Sequence, residues 1–109
     1  MANKTYKLRY LPLFYEDLEE KLVYISKKLQ NPQAAEDLLN AVEKAILERV
    51  ADAENFEKYR SIRERKYPYY RIYVKNFIVY YVVIDDEEKQ AIMEVRRFLY
   101  GGQNREGKI

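Results

Sequence analysis

The sequence predicts an α+β fold, a small antiparallel sheet with a helical hairpin packed on one face, in the order β-α-α-β-β-β. Three observations carry that expectation. Residues 67–81 are almost all β-branched or aromatic around a central Lys75-Asn76, the pattern of two paired strands. Residues 14–50 hold two runs of apolar side chains at helical spacing, parted by Asn31-Pro32. Strand-like segments flank these, one near the start of the chain and one ending at Tyr100. A two-stranded hairpin alone is marginal in water, so the flanking strands and the helices are what it needs.

Taken in order, Thr5 to Tyr10 alternates Lys7 and Arg9 with Tyr6, Leu8 and Tyr10, the period of a half-buried strand. Pro12 ends it and suits the first turn of a helix. Phe14, Leu18, Leu22, Ile25 and Leu29 then mark one helical face. Glu16, Asp17, Glu19 and Glu20 crowd its first turns and Lys27 and Lys28 its last, as the helix dipole favours. Asn31 reads as an N-cap with Pro32 at the first helical position. The second helix has Ala35, Leu38, Leu39, Val42, Ala45, Ile46 and Val50 on one stripe and should run to about Ala53. The short link between the helices makes them an antiparallel pair.

Asp52 to Lys66 is polar, lacks periodicity and reads as a loop. Pro68 sets an extended entry to strands at about Tyr69–Val74 and Phe77–Ile84, with Asn76 expected to take the positive φ of the turn. Asp85 to Lys89 is a charged turn, and Ala91 to Tyr100 is the last strand, ended by Gly101-Gly102. A polar tail runs from about residue 103. Residues 1–109 therefore read as a single domain. Its core should set Leu18, Leu22, Ile25, Leu38, Val42 and Ile46 against Leu8, Ile72, Val79 and Val95.

Composition removes whole classes of chemistry. The chain has no cysteine and no histidine, so disulfides, thiolate metal sites and the commonest general base are excluded. No metal and no cofactor is expected. No run of 18 apolar residues occurs and the first residues lack a secretory apolar core, which points to a cytoplasmic protein without a membrane span. No Gly-rich phosphate loop is present.

The charge is uneven. Residues 58–84 carry seven Lys/Arg against one Asp/Glu, while the whole chain is only +2. Such a patch is either a solvated face or a surface for an anion, nucleic acid or an acidic protein. Seven of the twelve tyrosines lie between Tyr59 and Tyr81, among Arg60, Arg63, Arg65, Lys66, Arg71 and Lys75. Aromatic faces among cations suit stacked bases. Strand tyrosines also fill cores with their hydroxyls at the rim, and taken singly that reading carries more weight here.

The element order, the helix junction Leu29-Gln30-Asn31-Pro32-Gln33-Ala34-Ala35, the hairpin from Tyr70 to Tyr81 and the closing Val95-Arg96-Arg97-Phe98-Leu99-Tyr100-Gly101 together resemble the RelE/ParE superfamily. These are toxins of bacterial type II toxin–antitoxin pairs, and the resemblance covers roughly residues 4–104. The closing strand is similar to the family's Arg-Val-Leu-His-Gly pattern, with Phe98 for Val and Tyr100 for His. The resemblance implies plasmid stabilisation or growth inhibition in the cytoplasm. It also implies a cognate antitoxin that wraps the toxin with a helix and a strand. Arg63, Arg65 and Tyr73 are the residues expected to meet that antitoxin.

Two branches of the superfamily imply different mechanisms. RelE-like members are ribosome-dependent endoribonucleases, in which an mRNA 2′-hydroxyl attacks the adjacent phosphate amid cations. Their cationic positions fall here on Arg71, Tyr73, Ile78 and near Gly101, and of these only Arg71 keeps a cation. ParE-like members inhibit DNA gyrase by binding, and the sequence leans that way. Arg71, Arg97 and Tyr100 are the candidate catalytic residues should it cleave RNA, although a tyrosine of pKa about 10 is a poor base unless cations lower it. Arg65, Lys66, Arg71, Arg96, Arg97 and Tyr100 are the candidate target-binding set. A non-toxic RNA-binding or scaffold domain on the same fold is the third reading.

Overall fold

The computed structural model describes residues 5–56, 58–59, 67–85 and 90–102. Strand β1 (Thr5–Tyr10) leads through Leu11 into helix α1 (Pro12–Val23), with Pro12 in its first turn. α1 ends in a π-helical turn over Tyr24–Lys28, followed by helix α2 (Pro32–Arg49) and a 3₁₀ turn over Val50–Asp52. The expected N-cap is present: Asn31 Oδ1 accepts from the Ala34 N–H at 3.1 Å. A two-residue strand β2 (Lys58–Tyr59) lies in the stretch expected to be loop. β3 (Tyr69–Val74), β4 (Phe77–Asp85) and β5 (Gln90–Tyr100) complete the chain.

The five strands form one sheet in the order β1-β5-β4-β3-β2. β2, β3, β4 and β5 pair antiparallel in succession, but β1 lies parallel to β5, so the sheet is mixed. The cause is parity. β2 reverses the chain once before the β3–β4–β5 meander, which turns β5 into the direction of β1.

One face of the sheet carries the helices. Phe14, Leu18, Leu38, Val42 and Ile46 pack with Tyr70, Ile72, Val79, Met93, Val95 and Phe98 in one buried cluster, and Leu8, Leu22 and Ile25 lie against it. The helix and strand positions expected to meet therefore do so. The other face has a smaller buried group, Tyr69, Ile78, Tyr80, Val82 and Leu99. Four strand tyrosines (Tyr69, Tyr70, Tyr80 and Tyr81) are buried, as the core reading requires, while Tyr73 and Tyr100 stay exposed. Tyr81 stacks on Tyr70 and donates its hydroxyl to the Ala53 carbonyl at 2.7 Å.

Three local expectations are corrected. α1 begins at Pro12, so Glu16 and Asp17 sit beyond its first turn, which holds no acid. The positive φ in the hairpin turn falls on Lys75, at 54°, rather than on Asn76. Leu29 is 56% exposed instead of lying on the core face. In the π turn the Leu29 N–H reaches back to the Tyr24 carbonyl at 3.1 Å. That extra residue per turn shifts the helical phase beyond it by about 100°, which swings Leu29 outward.

Candidate functional site

Of the residues singled out from the sequence, Arg63, Arg65 and Lys66 lie outside the described residues, as does the tail from 103. Arg71, Tyr73, Arg96, Arg97 and Tyr100 are placed. They stand on β3 and β5, on either side of the central strand β4.

Register decides which of them meet. Arg71 lies opposite Tyr80, and Tyr80 opposite Arg97, so these three form one cross-strand row with the fully buried tyrosine at its middle. Directly opposed residues share a face of the sheet. The next row along is Tyr73, Ile78 and Leu99. Tyr100 is opposite Phe77 and packs edge-to-face on its ring at 5.9 Å. Phe77 in turn joins the cluster beneath the helices. By register Tyr100 therefore belongs to the helix-bearing face, and Arg71 and Arg97 to the other.

A β-bulge explains how two consecutive arginines fit on β5. Tyr80 pairs with Arg97 and Tyr81 with Val95, which leaves Arg96 as the extra residue. Val95 and Phe98 both stay in the core while Arg96 and Arg97 leave it. Each arginine then meets a carboxylate the sequence reading did not single out.

Asp17 is the first. Arg97 Nε donates to its Oδ2 at 2.7 Å and Arg97 Nη2 to Oδ1 at 2.9 Å, a bidentate pair. The Phe98 backbone N–H also donates to Oδ2, at 3.0 Å. β1 has stopped pairing with β5 at Val95, so Asp17 supplies from α1 the acceptor that a strand would have offered. The Asp17 hydrogen bond holds the Arg97 guanidinium above its ordinary pKa.

Glu94 is the second. It is 4% exposed and receives Arg9 Nε on Oε2 and Arg96 Nε on Oε1, each at 2.8 Å. Burial pushes its carboxyl up, but the hydrogen bonds and charges of the two arginines outweigh this and hold it below the ordinary value. Arg96 also lies 5.9 Å from the Tyr69 ring. Arg97 is thus paired one-to-one with Asp17, whereas Arg96 shares Glu94 with Arg9. Arg71 is half-buried with its guanidinium 5.5 Å from the Tyr73 ring, and its backbone carbonyl accepts from Arg49 at 3.1 Å.

At the hairpin end of the sheet, Tyr73, Lys75, Phe77, Ile78 and Tyr100 line a depression of about 310 Å³ with Gly101 and Gly102. The Gly101 N–H donates to the Asn76 carbonyl at 2.8 Å, and a Cβ added there would stand 3.3 Å from that oxygen. The turn and the end of β5 are locked together by this contact.

A helical hairpin packed on one face of a mixed sheet is the α+β architecture that the resemblance to the RelE/ParE superfamily implies. The sequence agrees: residues 8–104 match the family model described as the ParE toxin of type II toxin–antitoxin system, parDE. The chain belongs to that family, the toxin half of such systems. No curated protein matches it. No helix among the described residues is long and apolar enough to cross a membrane.

Proposed function

We propose that this toxin acts in the cytoplasm by binding DNA gyrase and blocking it, under the control of a cognate antitoxin, rather than by cutting mRNA. One observation carries the reading. The positions where the ribonuclease branch sets arginines are Ile78, 2% exposed inside the sheet, and Gly101, pressed against the Asn76 carbonyl. Neither can present a cation to a phosphate. Loss of one preorganised donor at a developing oxyanion typically costs about 10²–10³-fold in rate, and two such losses leave little catalysis.

Two further features support it. Arg97 is committed to Asp17, and by strand register Tyr100 starts from the face of the sheet opposite to that of Arg71 and Arg97. Arg71, Arg96, Arg97 and Tyr100 remain as contact residues for a protein target, and Arg63, Arg65 and Tyr73 as contacts for the antitoxin.

Induced expression with and without the antitoxin gene tests this in cells. DNA breaks and a damage response with translation still running are expected. An immediate stop of translation with cleaved mRNA would reverse the assignment, and no growth effect at all would favour a scaffold.

A further inference from the structure

Among the described lysines with no ion pair, one group gathers around the end of α1 and the hairpin turn. Lys27, Lys28 and Lys75 have no carboxylate within ion-pair distance among the described residues, and Lys21 has only a loose contact to Glu20 at 3.4 Å. These four lysines border one continuous trough. One part of it, about 520 Å³, is walled by Tyr24, Ile25, Leu29, Phe77 and Tyr100 with Glu20, Lys21 and Asn76. Through Glu20 and Tyr24 it opens onto a shallower hollow beside Val23, Lys27 and Lys28. Through Asn76, Phe77 and Tyr100 it joins the depression beside Tyr73 and Lys75.

The trough is also where apolar surface is left uncovered. Val23, Tyr24, Leu29, Tyr73 and Tyr100 are five of the nine large apolar side chains that the described residues expose, and all line it. The π turn creates this arrangement. A continuous α-helix would have put Leu29 on the core face, whereas the turn swings it outward and Gln30, at φ 50°, then redirects the chain. Apolar patches gathered in one place and rimmed by one sign of charge mark interaction sites.

We propose that this trough seats an acidic segment of the toxin's protein target, its apolar anchors on Leu29, Tyr24 and Phe77 and its carboxylates against Lys27, Lys28 and Lys75. The charge selects the partner: four lysines against one carboxylate repel a basic segment and attract an acidic one. The trough holds Tyr100, already assigned to the target, beside Tyr73, assigned to the antitoxin, so the two partners would compete for it, and the inference rests on the gyrase-binding reading.

The test uses the full chain and purified gyrase holoenzyme, with association and dissociation rates followed at low and high salt. Lys27→Glu with Lys28→Glu should slow association about tenfold at low salt and much less at high salt. Leu29→Ser should speed dissociation about tenfold with little change in association. Leu13→Ser and Leu47→Ser, exposed apolar residues outside the trough, should change neither rate. If wild type leaves gyrase active, the gyrase reading fails and this proposal falls with it. If wild type inhibits and the trough variants inhibit equally well, only the trough assignment is overturned. Variants that lose antitoxin binding yet keep full inhibition would make the trough the antitoxin's seat and overturn it too. Unchanged circular dichroism and unfolding midpoints of the variants assign any loss to the surface.

Discussion

Where β1 stops at Tyr10, the outer edge of β5 loses its strand partner, and a single carboxylate takes over. Asp17 both accepts the Phe98 N–H and holds Arg97. Removing one member of a buried pair leaves the other charge stranded, at about 3–5 kcal/mol. Asp17→Ala should therefore lose about that much in urea unfolding, and Asp17→Asn less, because its amide oxygen still accepts the Phe98 N–H. A loss under about 0.5 kcal/mol in Asp17→Ala would show the pair to be incidental. Glu94 gives a prediction in pH. Its folded-state pKa is lowered, so its contribution is present above the ordinary value of 4.5 and is lost as pH falls through the folded value. Glu94→Gln should cost about 1–3 kcal/mol at neutral pH. The gap to wild type should then narrow below pH 4.5, whereas a gap that stays constant down through the acid range would mean the charge is not what matters.

At the scale of elements, the junction between the helices is the clearest case. Asn31→Ala removes a cap and should cost about 1 kcal/mol. Gln30→Gly should instead gain about 0.5–1 kcal/mol, since Gln30 holds a left-handed conformation that glycine adopts freely. A stability loss in Gln30→Gly would mean its side chain has a role beyond the turn. Thermal unfolding of both variants checks the pair. The cap and both hairpin strands were legible because their causes are local: a side chain three residues from its donor, or alternation along one strand. Asp17 and Glu94 were not, because their partners Arg97 and Arg9 lie 80 and 85 residues away in the chain. A lone carboxylate within the apolar run Ile92-Met93-Glu94-Val95 was the available signal that a buried acid needed a cation. The parallel placement of β1 was equally hidden, since it depends on β2, whose two residues carry no period. The candidate site could be named from the sequence, as Arg71, Arg96, Arg97 and Tyr100, only as a list of members. It was not legible in their arrangement, because the bulge at Arg96 decides which face each one takes.

For the molecule as a whole, two groups of cations stand out among the described residues. Arginines on β1 and β5 are bound by Asp17 and Glu94 and keep β5 in register. Lys27, Lys28 and Lys75 have no carboxylate partner among the described residues and stand beside exposed aromatic and aliphatic side chains. A ribonuclease needs the opposite division, with arginines free to gather round a phosphate. Purified toxin on ribosomes programmed with a defined mRNA, read alongside gyrase supercoiling at the same toxin concentrations, separates the two most directly. Supercoiling should stop while the mRNA stays whole. Efficient cleavage at the ribosomal A site with supercoiling untouched would contradict the binding mechanism outright.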